Sequence, residues 1–409
     1  MNKRLLSFLI VLSVLLTGCA LRPAEYTRET SPAESTVPVQ STGSSEETSG
    51  ENTVEDTTAP AVEESSVSFA ACGDNIIYYG TYRDAASQAY AGGRAYNFRP
   101  IYKNVEGIIS SADISFINQE TPCAQSFQPE SYPTFNSPVD LTYDVCDVGF
   151  DIINLANNHM LDKGSKGLSE SYENWKSRGV CVIGCYEENS EGNYITYYEK
   201  NGINIAFLSY TYGTNLGDDP ANAGLFAPYL RHSDVEGDVK CAKESADFVI
   251  VSVHWGDEGA KTPNDEQKKY AQLMADSGAD VILGHHPHVL QPIEWLHGKD
   301  GNSTLCAYSL GNFVHEQAYD YNVPGGILSF NIVKTSEGTT AADPVLIPTV
   351  CHYPANFYNN TVYLFRDYTA DLANAHAVRT YYNNPISYDS LKSYICQTIS
   401  AEFLPDYMK

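Results

Sequence analysis

Three histidines fall within four residues at Gly284-His285-His286-Pro287-His288, directly after the apolar run Val281-Ile282-Leu283. That run has the length and composition of a buried strand, and Gly284 marks where the chain turns out of it. In open α/β sheets ligands collect beyond the carboxyl ends of strands, so imidazoles here stand where a site belongs. Neutral imidazole is also a common metal ligand. For any one of these histidines a surface position, or a core imidazole bonded to a carbonyl, is the plain alternative. Three at a single strand end favour a site.

Four more apolar runs end in metal-competent residues. Asp74 follows Val67 to Cys72 and Gly73, and Asn118-Gln119-Glu120 follow Ile114 to Ile117. Asn157-Asn158-His159 come after Ile152-Ile153-Asn154-Leu155, and His254-Trp255-Gly256-Asp257-Glu258 after Val249 to Val253. Five of the ten histidines sit at three of these five places. Singly, each residue has a bland use. Asp74 suits a turn or a helix cap, Glu120 a solvated loop, Asn157-Asn158 a left-handed turn, and His254 a stack on Trp255. Together they offer carboxylate, amide and imidazole ligands without thiolate. That set suits Mn, Fe or Zn, with Mg a further option, better than copper. Two such ions about 3.5–4 Å apart orient and activate water for attack on phosphorus.

The elements that must position these residues alternate between strand and helix, which predicts an α/β layered fold. Helices are expected over Ile101 to Ser111, Leu141 to Val148, Leu168 to Arg178 and Val239 to Ala246. Another should start at Thr262-Pro263-Asn264-Asp265, with Pro at its first position, and bury Tyr270, Leu273 and Met274. Tyr194 to Tyr198 and Ile203 to Tyr210 flank Asn201-Gly202, a hairpin signal. Strands also fit Phe248 to Val253, Thr304 to Ser309 and Gly326 to Val333. The mixture implies two sheets, or one mixed sheet, under helices. Beyond Pro354 the chain is rich in Tyr and Asn and reads only as a closing helix at Tyr388 to Ile399.

Ahead of all this, Lys3 and Arg4 precede an apolar stretch, Leu5 to Leu16, that is too short to span a bilayer. It ends in Leu16-Thr17-Gly18-Cys19, which resembles the bacterial lipobox, and an ordinary secretory signal is the alternative. The lipobox resemblance implies that residues 1–19 end at a lipid-modified Cys19, on the extracytoplasmic face of the bacterial cell membrane. Residues 20–66 are Ser, Thr, Glu and Pro with ten acidic and two basic residues, a composition expected of a disordered tether. Of the net charge of -26, about -20 belongs to the part from Val67 onward. An acidic body argues against nucleic acid as a partner. Nine widely spread cysteines beyond Cys19 make no disulfide framework, and Cys181 with Cys185 lacks a second pair for a metal site.

In order along the chain, six stretches resemble the CapA family of poly-γ-glutamate capsule synthesis proteins. They are Gly73-Asp74, Asp113 to Glu120, Asn154 to His159, His254-Trp255-Gly256-x-Glu258, Gly284 to Val289 and Tyr308 to Phe313. The resemblance runs from about Val67 to Val333. That family is similar to the calcineurin-like metallophosphoesterases, which implies a four-layer α/β/β/α sandwich over 67–353 with a C-terminal extension, 354–409. It implies one or two divalent metal ions held by Asp74, Asn158, His254, His286 and His288, with His159 as general acid. Glu120 is the nearest counterpart of the bridging aspartate. Asn157, Glu258, His285 and Asn312 fall to supporting or substrate-contacting roles. One departure stands out. Ile76 occupies the position of a ligating histidine.

Two functions follow from the resemblance. One is a metal-dependent phosphoesterase acting on a cell-envelope or capsule polymer. The other is a non-catalytic accessory protein that binds the polymer during synthesis or export. Other capsule-synthesis membrane proteins are the implied partners of either.

Overall fold

The computed structural model describes residues 64–91, 93–187 and 194–409. Residues 1–63 lie outside it, and with them the signal, Cys19 and nearly all of the tether. Among the described residues sixteen strands follow in chain order. The first eight are β1 (Ser65–Asn75), β2 (Ile114–Gln119), β3 (Ile152–Asn154), β4 (Cys181–Ile183), β5 (Tyr186–Glu187), β6 (Thr196–Lys200), β7 (Ile203–Thr211) and β8 (Leu225–Phe226). Then come β9 (Phe248–His254), β10 (Val281–His285), β11 (Ile293–His297), β12 (Ser303–Ala307), β13 (Asn312–Val314), β14 (Pro324–Thr335), β15 (Gly338–His352) and β16 (Thr361–Leu364).

Two large sheets result. The first runs β16-β15-β14-β1-β2-β3-β4, with β13 also pairing β1, and the second runs β11-β12-β10-β9-β7-β6. In the first, β1 to β4 are mutually parallel. In the second, β7, β9, β10 and β12 are parallel. Near-continuous apolar runs such as Val249 to Val253, broken only by Ser252, are buried on both faces, as parallel strands require. Phe69 of β1 stacks on Phe207 of β7 at 6.2 Å, so the two sheets face each other across one apolar core. A separate core lies between the far face of the second sheet and helices Val235–Ser245 and Asp265–Ser277. Helices Asp140–Val148 and Gly164–Lys176 cover the first sheet. The architecture is the expected α/β/β/α sandwich.

Local expectations hold where a turn or cap is decisive. Asn201 and Gly202 take φ of 50° and 73°, closing the β6–β7 hairpin with Lys200 opposite Ile203. Two expectations fail. The helix expected to have Pro263 at its first position begins instead at Asp265. Asn264 caps it, because Asn264 and Gln267 satisfy each other's backbone N–H groups in a reciprocal box. The single helix expected over Ile101 to Ser111 is two short ones, Arg99–Tyr102 and Glu106–Ser111. Tyr102 and Val105 are both fully buried, and the Tyr102 hydroxyl donates to Asn75 Oδ1 at 3.1 Å. These contacts outweigh the helical preference of the connecting residues. The segment after 353 contributes the edge strand β16, which pairs with β15, and a helix, Tyr388–Thr398, whose Leu391 and Ile395 enter the main core.

Two glycines let the sheets' ends close on each other. A Cβ on Gly73 would lie 2.0 Å from the Gly311 carbonyl oxygen, and one on Gly284 would lie 2.0 Å from the Tyr308 carbonyl oxygen. Both obstacles are backbone and cannot rotate away. Gly284→Ala is therefore expected to lower unfolding free energy by about 3 kcal/mol in urea titrations. Gly107→Ala, where a Cβ meets nothing within 4 Å, should be neutral or slightly stabilising. Equal stability of the two variants would refute the close approach.

Candidate metal centre

The parallel strands of both sheets direct their carboxyl ends to one seam. Register aligns Asp74 with Asn118 and Asn118 with Asn154 across the first sheet. In the second it aligns Thr211 with His254 and His254 with His285. A buried amide relay spans the gap. Ser209 donates to Asn154 Oδ1 at 2.6 Å, Asn154 to Asn118 Oδ1 at 2.8 Å, and Asn118 to Asp74 Oδ1 at 2.8 Å. The relay fixes one oxygen of Asp74. The other lies 2.9 Å from His288 Nδ1 and accepts the His286 backbone N–H at 3.3 Å.

His286 and His288 both have positive φ, 97° and 57°. Non-glycine residues held there cost about 1–3 kcal/mol each and persist only when their surroundings enforce them. Here the enforcing contacts are Asp74 on the His286 N–H and Asn312, which donates to the His288 carbonyl at 3.1 Å. The strained turn presents two imidazoles of neighbouring residues to one space.

Glu120 completes the seam. It is fully buried, yet neither carboxylate oxygen has a hydrogen-bond partner. His288 Nε2 is 3.6 Å and His254 Nε2 3.8 Å from its Oε1. His254 Nε2 is also 2.9 Å from Asn158 Oδ1. Three groupings have ligand atoms within 4.8 Å of one another: Asp74–Glu120–His288, Glu120–His254–His286 and Glu258–His286–His288. Glu120 is common to the first two, and Glu258 approaches from the exposed rim.

Electrostatics follow from the burial. Desolvation raises the Glu120 carboxyl well above its ordinary range, against the pull of His288, with Asp74 and Glu258 adding to the rise. Burial also pushes Asp74 upward, but the imidazoles of His285 and His288 outweigh it and hold that carboxyl well below the usual value. Desolvation and the neighbouring His286 keep His254 neutral. Burial together with His288 takes His286 down to about 3. His288 moves the other way: burial opposes its charge, yet Glu120 and Asp74 raise it to about 9. His254 and His286 are thus held as neutral imidazoles, the form that ligates, whereas His288 has to release a proton before it can do so.

The residues fit a divalent cation. Both Glu120 oxygens, His254 Nδ1 and His286 Nδ1 are buried polar atoms without hydrogen bonds, and such atoms are costly unless a ligand satisfies them. Oxygen and imidazole donors without thiolate suit Mn, Fe or Zn. Ile76, buried and apolar, supplies no ligand beside Asp74.

His159 lies outside the three groupings. Its Nδ1 is 2.7 Å from Asp162 Oδ2, its ring meets the edge of Phe135 at 4.8 Å, and its backbone N–H donates to Asn157 Oδ1. The Asn157 amide bonds the Gln119 and Leu155 carbonyls, so it braces the loop. Asn312 likewise braces, donating to the carbonyls of His288 and Asn322 and to Gln317 Oε1. His285 stacks on Phe116 at 5.6 Å with Nδ1 3.5 Å from Asp74 Oδ1. Sequence reasoning passed over Asp162, which His159-x-x-Asp162 spacing marks; it placed Asn118 at a strand end and Asn154 within a strand, but their relay depends on the sheet register. It also passed over Tyr212, which packs on His286 at 4.8 Å and His254 at 6.2 Å and carries no local signal.

Residues 68–317 match the sequence profile of a family described as bacterial capsule synthesis protein PGA_cap. The PGA biosynthesis protein CapA of Bacillus subtilis (strain 168) is 30% identical over 261 residues, which are 60% of this chain and 64% of that protein. The capsule biosynthesis protein CapA of Bacillus anthracis is 32% identical over 206 residues, 49% of this chain and 48% of that one. The chain thus spans less than two thirds of either relative. Among solved structures, a novel phosphatase from Mycoplasma pneumoniae superposes with a TM-score of 0.44 at 12% identity, covering 70% of this chain and 95% of that one. A 5'-nucleotidase precursor from Thermus thermophilus gives 0.40 at 10%, covering 81% and 58%. Superpositions this loose leave the chemistry to be argued from the residues themselves.

Glu316, just after β13, ties that strand's end to helix Tyr79–Ser87 and to Asn360. It is buried and accepts from the Gly80 N–H at 3.1 Å, the Thr81 hydroxyl at 2.7 Å and the Asn360 amide at 3.3 Å. Burial outweighs these donors and pushes its carboxyl up to about 7. A raised folded-state value favours the neutral form. Its contribution is full below the ordinary value of 4.5 and is lost as pH rises through about 7. Glu316→Gln should flatten the stability profile across that window, by up to about 3 kcal/mol in denaturant titrations. A parent-like pH slope in the variant would contradict the assignment.

Proposed function

The chain belongs to the bacterial capsule synthesis PGA_cap family, and from that premise we propose that it is a metal-dependent phosphoesterase of capsule polymer biosynthesis. In this reading it works on the extracytoplasmic face of the membrane, anchored by a lipid on Cys19. The observation that carries it is Glu120: a fully buried carboxylate with no hydrogen bond, shared by two groupings of ligand-competent side chains. Asp74, Glu120 and His288 would hold a divalent cation on one side, and Glu120, Asn158, His254 and His286 on the other. A cation bound there supplies positive charge to a phosphoryl oxygen and acidifies water.

The chain's own residues do the rest. Asp162 holds the His159 imidazole at Nδ1, and Nε2, with the Asn215 amide nitrogen 3.4 Å away, is the atom that would give a proton to the departing oxygen. Tyr212 and Phe135 shield the imidazoles from bulk water, strengthening each electrostatic contact. The loop glycines and the amide relay keep Asp74 fixed while charge develops. No helix among the described residues is long and apolar enough to cross a membrane.

One observation favours a second reading. Ile76 leaves the Asp74 side short of a ligand, which suits a protein that binds polymer without turnover. Elemental analysis and a phosphoester assay separate the two. The purified chain should retain Mn, Fe or Zn and hydrolyse generic mono- or diesters. Asp74→Asn and His254→Ala should lose metal and activity together, while His159→Ala should keep metal and lose about 10²–10⁴-fold in kcat. Absence of bound metal after incubation with each ion would end the hydrolase reading. For the anchor, Cys19→Ala should move the chain from the membrane to the soluble fraction; unchanged partitioning would refute it.

A further inference from the structure

Beside the metal-ligand cluster lies a pocket of about 440 Å³, walled by Tyr78, Tyr132, Tyr319 and Tyr321 and sharing Glu258 and His288 with the cluster. Its size falls within the range of small-molecule sites, about 300–1,000 Å³. Tyr132 is 73% and Tyr319 57% exposed. Both rings are nevertheless held in place. Tyr132 meets Phe135 edge-on at 6.4 Å, and Tyr319 stacks on Tyr321 at 5.2 Å with 8° between the planes. Phe135 in turn touches His159, so the aromatic wall joins the proposed general acid directly.

The tyrosine surface continues past the pocket. Tyr79, 55% exposed, donates its backbone N–H to the hydroxyl of Ser131, next to Tyr132. On the other side Tyr381, 61% exposed, packs edge-on against Phe357 at 5.3 Å. Asn384 of the same turn donates to the Ala318 carbonyl in the pocket wall at 3.4 Å. Charge narrows the occupant. Among the described residues no lysine or arginine lines the pocket, whereas Glu258 does, and Asp320 lies between the stacked tyrosines in sequence. The nearby Lys261 ammonium is engaged by the Tyr321 and Tyr394 rings, at 5.2 and 5.3 Å.

We propose that this pocket is a sugar-stacking subsite, and that the phosphoester presented to the cluster is carried on a neutral glycan. The assignment names the substrate class of the site described above, so it rests on the phosphoesterase reading. A pyranose offers an apolar C–H face to a tyrosine ring and a hydroxyl rim to the phenols and to the Gln317 and Asn322 amides. Phenol rings suit such half-apolar, half-polar ligands. A polycarboxylate chain has no ring face and would meet Glu258 and Asp320 as like charges. A lone nucleobase would fill the pocket but make no use of Tyr79 and Tyr381 beyond it.

The test is binding, measured by calorimetry and saturation-transfer NMR on the purified full chain in EDTA, so that turnover plays no part. The probes are chitotetraose and maltotetraose as neutral glycans, adenine as a lone base, and poly-γ-glutamate as a polyanion. At least one glycan should bind saturably. Tyr132→Ala and Tyr319→Ala should each weaken it about tenfold, the loss of one stacking contact. Tyr143→Ala, an exposed tyrosine outside the pocket, should have no effect. Circular dichroism of the variants confirms folding. No binding of either glycan, binding insensitive to Tyr132 and Tyr319, or tyrosine-dependent binding of adenine or poly-γ-glutamate instead would overturn the proposal. Retained glycan binding in a protein without metal-dependent hydrolysis would overturn only the hydrolase reading.

Discussion

Two carboxylates with no exposure, Asp74 and Glu120, set the terms for the structure around them. Removing a carboxylate from water costs several kcal/mol unless charge and hydrogen bonds compensate. The chain answers the two differently. Asp74 is satisfied by the protein itself, through the Asn118 amide, the His286 N–H and His288. Glu120 receives no hydrogen bond and faces the His254 and His288 imidazoles, with the Asp74 carboxylate close by. One of the two proposed cation ligands is aimed by hydrogen bonds within the protein; the other keeps both oxygens unpaired. That asymmetry separates a ligand site from a buried ion-pair network.

The sandwich brings these groups together. Parallel strands place their carboxyl ends on one edge of each sheet, and the apolar contact of Phe69 with Phe207 presses the sheets face to face. The two edges then meet, and Gly73 and Gly284 allow their backbones to approach without a Cβ between. The Asn118–Asn154–Ser209 relay crosses from one sheet to the other. The aiming of Asp74 is therefore coupled to the packing of both sheets. The strained His286 and His288 conformations fit the same pattern, since strain of that kind is retained where a site requires the geometry.

The family match brings a process, capsule synthesis, and the pocket brings a chemistry. They meet at the rim, where Glu258 and His288 belong both to the ligand cluster and to a wall of tyrosines. The acidity of the chain is felt there. The pocket is lined by phenols and Glu258, with no cationic side chain among the described residues, and on that observation the proposed neutral glycan rests.

Much of this was legible in the residue order. Strand-length apolar runs ending in Asp74, Glu120, Asn158, His254 and His286 identify their own placement. Burial demands apolar residues, and parallel strands deliver the residues at their carboxyl ends to a common edge. The Asn201-Gly202 hairpin and the closing helix were legible for equally local reasons. The break in the helix after Tyr102, the start at Asp265 under an Asn264 cap rather than at Pro263, and the bracing roles of Asn157 and Asn312 were not. These features are decided by competing contacts in space, most of them with residues distant in the chain. The sequence by itself determined the donor types and their arrival at strand ends. The fold alone puts Glu120 between two groupings of ligand-competent side chains, packs Asp162 and Phe135 against His159, and gathers distant tyrosines into one wall. Hydrogen bonds and stacking act over a few ångströms in space, and chain order carries no record of those distances.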